Sequence, residues 1–141
     1  MTETIDMQSM RYINLFMKVS KVPTTKVFFY NNQIVYAVPK EKVSTAIGKN
    51  AINVKKLNDI LRRKIKIVAM PSLDNNSEIG KFVEDVVAPV EFNRIDVNNN
   101  SVVITAGRNS KAALIGRNRI REKELSEVLK NFFHIGKLRI A

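Results

Sequence analysis

Two four-residue segments, Ile47-Gly48-Lys49-Asn50 and Ile115-Gly116-Arg117-Asn118, each set a glycine and a cation into a short gap between helical patterns. The chemistry open to such a gap is electrostatic contact with phosphate. A helix N-terminus offers unpaired backbone N–H groups and a partial positive charge, and a glycine admits a ligand backbone closely. Lys49 or Arg117 adds a screened attraction. Part of the pattern needs no ligand. Gly48 and Gly116 suit the left-handed close of one helix, and Asn50 and Asn118 suit the cap of the next. Neither of those roles requires a cation at the tip of the turn.

The two segments belong to a longer repeat at a fixed offset of 68 residues. At that offset Ile52 meets Ile120, Lys55 meets Lys123, Leu57 meets Leu125 and Leu61 meets Leu129, while Asn31-Asn32 meets Asn99-Asn100. A 141-residue chain built this way is expected to fold as two small α+β domains, 1–70 and 78–141, joined by a linker at 71–77 that contains Pro71, Asn75 and Asn76. Units this small bury only about 60% of the surface of their unfolded chains, so packing against each other would help both.

The elements that must position the gaps follow from periodicity. Tyr12, Leu15, Phe16 and Val19 mark a helix over 5–20, with Met10, Ile13 and Met17 as a neighbouring stripe, and Pro23 ends it. Lys26–Tyr30 and Ile34–Val38 read as a hairpin across Asn31-Asn32-Gln33. Pro39 opens a short helix that buries Val43, Ala46 and Ile47 and stops at Gly48. A longer helix runs to about Arg63 with Val54, Leu57 and Leu61 on one side, and 64–68 alternates as a strand. The second copy predicts a helix capped by Ser77 and buried through Ile79, Phe82, Val83 and Val86, then strands over 90–97 and 101–105. A short helix over 111–115 follows, then a long one over 119–133 buried through Leu125, Val128, Leu129 and Phe132, and a strand over 137–140. About five additional residues fall near 131–135. Each unit reads helix-strand-strand-helix-helix-strand.

Charge narrows the partners. The formal net charge is +11. Residues 1–70 hold 13 Lys/Arg against 4 Asp/Glu, and residues 71–141 hold 11 against 9, so the excess sits on the first unit. A polyanion is the expected partner: nucleic acid, an anionic membrane face or an acidic protein. There is no cysteine, and no apolar run approaches the ~18 residues of a membrane span. A cytoplasmic, monomeric protein without cofactor or metal is expected. Catalysis is not expected either: His134, beside Phe132 and Phe133, is the only histidine, Glu91 and Asp96 read as solvent-facing strand residues, and no H-E-x-x-H or Walker pattern occurs.

The element order, with an Ile-Gly-x-x gap between paired helices, resembles the type II KH domain. Two such units over nearly the whole chain resemble the archaeal NusA-like transcription factors. The residues that carry the likeness are Ala46-Ile47-Gly48-Lys49-Asn50, Asn53-Val54-Lys55-Lys56-Leu57 and Ile115-Gly116-Arg117-Asn118. The resemblance implies loops at Gly48-Lys49-Asn50-Ala51 and Gly116-Arg117-Asn118-Arg119 that clamp about four nucleotides of single-stranded RNA, with the bases on an adjacent apolar groove. It also implies action in transcription elongation or termination, with RNA polymerase as a further partner. Both loops depart from Gly-x-x-Gly at the last position. Ala51 is a mild change if that residue already has helical dihedrals, whereas the side chain of Arg119 either obstructs a phosphate or contacts it.

Among the many cations near the first loop, Lys55 and Lys56 are the expected phosphate partners. In the second unit they are Arg108, Lys111 and Arg121. Ile47, Ile52, Ile115 and Ile120 are each open to a core or a groove-floor role. No aromatic residue adjoins either loop, so aromatic stacking of bases is not expected there. Two other readings stay open. A helix-turn-helix DNA reader would use Asn53, Lys56 and Arg121 on its second helix, and a non-catalytic docking protein on polymerase or ribosome would keep the fold with degenerate loops.

Overall fold

The first helix, α1 (Met7–Ser20), turns Ile13 and Phe16 fully inward and packs Tyr12, Leu15 and Val19 against the same core. Met10 departs from the expected stripe and is exposed, because it lies on the outer side of the helix. The helix stops before Pro23: Lys21 takes a left-handed φ of 63°, and the Ser20 hydroxyl donates to the Phe16 carbonyl at 2.8 Å. The computed structural model describes residues 7–24, 26–71 and 75–141, so the ends of the expected helix at 5 and 6 lie outside the described residues.

The fold is α+β, in two compact units, Met1–Met70 and Pro71–Ala141. In the first, β1 (Lys26–Tyr30) pairs antiparallel with β2 (Gln33–Val38), and Tyr30 opposite Gln33 closes a two-residue turn in which Asn31 and Asn32 both have positive φ. Asparagine tolerates that conformation, which the twist of a tight hairpin requires. A 3₁₀ turn over Lys40–Lys42, flanked by Pro39, leads into α2 (Val43–Ile47), of which only Ala46 is fully buried. α3 (Ile52–Leu61) buries Leu57 and ends at Arg62, with φ 59°. The chain returns as β3 (Lys64–Ala69), parallel to β2 with Gln33 opposite Lys64 and Val38 opposite Ala69.

The second unit repeats the plan. α4 (Asn76–Val87) is capped by Asn75, whose Oδ1 accepts from the Glu78 N–H at 3.1 Å. The cap is therefore not Ser77, which lies inside the helix. Any Asx residue can cap, and Asn75 is the one followed three positions later by Glu78, which its Nδ2 also reaches. β4 is only Arg94–Val97, because Val90 folds back onto the Val87 carbonyl and Asn93 bonds the Thr105 carbonyl from outside the ladder. Glu91 therefore lies outside the strand, and Asp96 within it pairs with Arg94 at 3.0 Å. β5 (Ser101–Thr105) pairs with β4 antiparallel and with β6 (Lys137–Ile140) parallel. Between them lie α5 (Arg108–Ile115), which starts three residues earlier than expected, and α6 (Ile120–Phe133). Four of the additional residues lengthen α6, which has 14 residues where α3 has 10. Phe133, not Phe132, is the buried ring, and it meets Phe82 edge-on at 5.2 Å. No helix among the described residues is long and apolar enough to cross a membrane.

The core of the first unit centres on Tyr36, which is fully buried, stacks on Phe16 at 4.3 Å, and donates its hydroxyl to the Tyr12 carbonyl at 3.0 Å. Burial, helped by nearby Tyr12, pushes its ionisation well above the ordinary range. Because the folded protein holds this proton more tightly than the unfolded chain, the stability is present below about pH 10 and falls as pH rises beyond it. Tyr36→Phe is expected to flatten that alkaline slope and to cost about 1 kcal/mol at neutral pH. Urea titrations of both proteins at neutral and alkaline pH measure the two effects.

Candidate nucleic-acid interface

The two loops are built alike. Gly48 closes α2 with its N–H on the Ser44 carbonyl at 3.0 Å, and the Ala51 N–H bonds back to the Gly48 carbonyl at 3.1 Å. Gly116 and Arg119 do the same with the Ala112 and Gly116 carbonyls at 2.9 and 3.1 Å. Lys49 and Asn50 in one loop, and Arg117 and Asn118 in the other, lead a single 3₁₀ turn. Their N–H groups precede those of Ala51 and Arg119, the first to bond back within each turn, and remain available to a ligand.

The dihedrals change three expectations. Gly48 (82°, 167°) and Gly116 (75°, 171°) are not in the ordinary left-handed helical region but in the positive-φ extended region that is essentially glycine's alone. Asn50 (55°, 30°) and Asn118 (57°, 28°) are left-handed residues inside the turn and cap nothing. The residues that flank the long helices are Ala51 (58°, 32°) and Arg119 (61°, 24°), left-handed and without a side-chain cap. Ala51 is thus no mild substitution for glycine, since its dihedrals are helical only in the mirror sense. Its Cβ, like that of Arg119, carries a conformational cost of about 1–2 kcal/mol.

Around this frame the structure gathers some of the expected residues and scatters others. Lys49 and Arg117 project from the tips, exposed; Lys55 and Lys56 are exposed in the first two turns of α3. None of these four has an ion-pair partner among the described residues. Ile52 and Ile120 are 49% and 46% exposed and so are not core, while Ile47 and Ile115 are half-buried. Lys111 lies about one turn back along α5. Arg108, at the start of α5, lies two turns from Gly116, roughly 12 Å away by helical rise, and is not brought to the loop.

The second loop is also partly neutralised. Arg119 pairs with Glu122 at 3.3 Å, and half-buried Arg121 is bound to Glu124. At the matching positions of the first unit stand Ala51 with Val54 and Asn53 with Lys56, and no acid occurs between Lys42 and Asn58. Asn53 has a role that its sequence position did not announce. Its Nδ2 donates to the Ala46 and Thr45 carbonyls at 3.1 and 3.3 Å, tying the first turn of α3 to the end of α2. Arg121 replaces it in the second unit, with its side chain lying against Gly116. The i, i+3 spacing of Arg119–Glu122 and Arg121–Glu124 was the available signal for the neutralisation. No group of three or more His, Cys, Asp or Glu side chains suited to a metal occurs among the described residues.

No family model matches the chain, and no curated protein matches it. Among solved structures, the crystal structure of APE1850 superposes with a TM-score of 0.68 at 24% identity, covering 97% of this chain and 100% of that one. At that identity the likeness shows the α+β fold and nothing further.

Proposed function

We propose that the chain is an RNA-binding protein of two tandem type II KH units, akin to the archaeal NusA-like factors of transcription elongation or termination. It acts without catalysis. One observation carries the reading: the same glycine-initiated turn occurs twice, each with an unshielded cation at its tip and an exposed isoleucine immediately after it. A phosphodiester seats against the free N–H groups of the turn and Lys49, while bases rest on Ile52 and Ile47. Lys55 and Lys56 hold the flanking phosphates. Nascent RNA held this way would alter pausing or release by RNA polymerase, the proposed protein partner.

The helix-turn-helix alternative is weakened by two of its own reading residues, since the amide of Asn53 is spent on backbone carbonyls and Arg121 is bound to Glu124. The docking alternative draws support from the second loop, where Arg119 and the adjoining Arg121 face Glu122 and Glu124. Both readings can hold for one chain, with RNA on the first unit and a protein surface on the second.

Salt dependence tests the proposal. Three phosphate contacts, through Lys49, Lys55 and Lys56, give log K against log[salt] a slope of about −2 for single-stranded RNA. Anisotropy titrations of labelled oligouridine from low to physiological salt measure it. A slope indistinguishable from zero, or equal affinity for an uncharged-backbone analogue, removes the phosphate clamp.

A further inference from the structure

The end of α3 away from the loop carries three consecutive cations, Arg62, Arg63 and Lys64. All three are exposed, and none has an ion-pair partner among the described residues. The ten residues of α3 set them about 15 Å from the first loop, so they lie outside the clamp. The turn is held in shape. The Arg62 N–H bonds the Asn58 carbonyl at 2.8 Å, and the Asn58 Nδ2 grips the Arg63 carbonyl at 2.7 Å. The guanidinium of Arg63 lies over the ring of Phe29, 5.8 Å from its centroid, and Phe29 is 38% exposed with Tyr12 edge-on at 5.8 Å.

The pairing of Gln33 with Lys64 brings the Asn31-Asn32 turn alongside. Two shallow depressions of about 580 and 590 Å³ result. Both are lined by Arg62, Arg63 and Lys64; one extends to Asn58 and Asp59, the other to Asn31, Asn32 and Gln33. Asp59 is the one carboxylate among these lining residues. The corresponding turn of the second unit lacks the three cations: there the Gly136 N–H bonds the Asn100 Oδ1 at 2.9 Å, and the connecting residues are His134, Ile135 and Gly136.

We propose that this turn is a second nucleic-acid contact, in which a base stacks against the Arg63–Phe29 pair while Lys64 and Arg62 take the adjoining phosphate. The combination selects the partner. Unpaired cations alone would suit any acidic surface, but a guanidinium plane backed by a partly exposed ring, with amide groups beside it, suits a flat base carrying hydrogen-bonding edges. The inference rests on the reading of the first loop as a clamp for about four nucleotides, and it assigns the α3–β3 turn to the continuation of a longer strand.

The test uses oligouridines of four and twelve nucleotides and the double variant Arg63→Gln/Lys64→Gln, which leaves the helix-ending Arg62 in place. Affinity for the twelve-mer is expected to fall about tenfold or more, and its salt slope to shrink by about 0.7 for each phosphate that is no longer neutralised, with four-mer binding unchanged. Phe29→Leu should weaken the twelve-mer while leaving its salt slope intact, separating stacking from charge. Unaltered twelve-mer binding in the double variant overturns the proposal and leaves the turn to an acidic protein. Equal losses on both lengths overturn it as well, because the turn would then act through the loop. A wild-type chain that binds neither oligomer removes the clamp reading and this one together.

Discussion

Gly116→Ala should destabilise the protein by about 3–5 kcal/mol, a large share of the roughly 5–15 kcal/mol that holds a typical domain folded. Two effects add. The positive-φ extended backbone disfavours any side chain, and a Cβ at this position would lie 2.6 Å from the Arg121 Cγ and 3.0 Å from the Arg121 backbone nitrogen. A backbone atom cannot rotate away. Gly48→Ala shares the strain, but the three atoms nearest its Cβ all belong to side chains, with Ile52 Cγ2 at 2.9 Å and Asn53 Nδ2 at 3.0 Å, so a loss of about 2–3 kcal/mol is expected. The neighbouring position should respond in the opposite direction. Arg119→Gly relieves a left-handed residue and is expected to stabilise by about 0.5–1 kcal/mol after the greater freedom of the unfolded glycine is counted. Chemical denaturation of the three variants settles the order. A Gly116→Ala protein as stable as Gly48→Ala would contradict the clash with backbone.

On the proposed phosphate clamp, Lys49→Asp is expected to weaken binding of single-stranded RNA roughly 10- to 100-fold at low salt, the scale of one charged hydrogen bond replaced by repulsion. Arg117→Asp should cost only about threefold, the scale of an exposed pair. The difference arises from the surroundings, since Lys49 is followed by Lys55 and Lys56 without an acid, whereas Arg117 is followed by arginines already bound to Glu122 and Glu124. Parallel anisotropy titrations measure both variants. Equal losses would show that the two loops contribute alike and would refute the asymmetry.

The repeat made the element order legible. Asn31-Asn32 against Asn99-Asn100, and Leu57 against Leu125, let each copy confirm the hairpin and the long helix of the other. The loop's existence was legible in the same way, but its conformation was not. Gly-Lys-Asn satisfies the rules for a helix stop followed by a cap, and only the left-handed Ala51 and Arg119 reveal that the asparagine lies inside a turn. Local periodicity also could not choose between Phe132 and Phe133 near a helix end, where the buried face is decided by contact with Phe82. The Arg63–Phe29 pairing joins residues 34 positions apart and became visible only once the fold brought the α3–β3 turn to the side chain of Phe29.

The parallel register of β2 with β3 bears on how the protein acquires its shape. Gln33 meets Lys64 31 positions later, and Ser101 meets Lys137 36 positions later. Each loop lies inside that closed span. Pairing over such separations carries a loop-closure entropy that grows only as the logarithm of length, so the five additional residues of the second span change it by roughly 0.1 kcal/mol. Both units therefore face nearly the same kinetic obstacle, and contacts this distant are made slowly compared with the hairpins. The order of events follows: the hairpins zip first, and each glycine-led turn is shaped only when its edge strand docks. In time-resolved hydrogen exchange, β3 and β6 should gain protection together with the turns they enclose, after the hairpins.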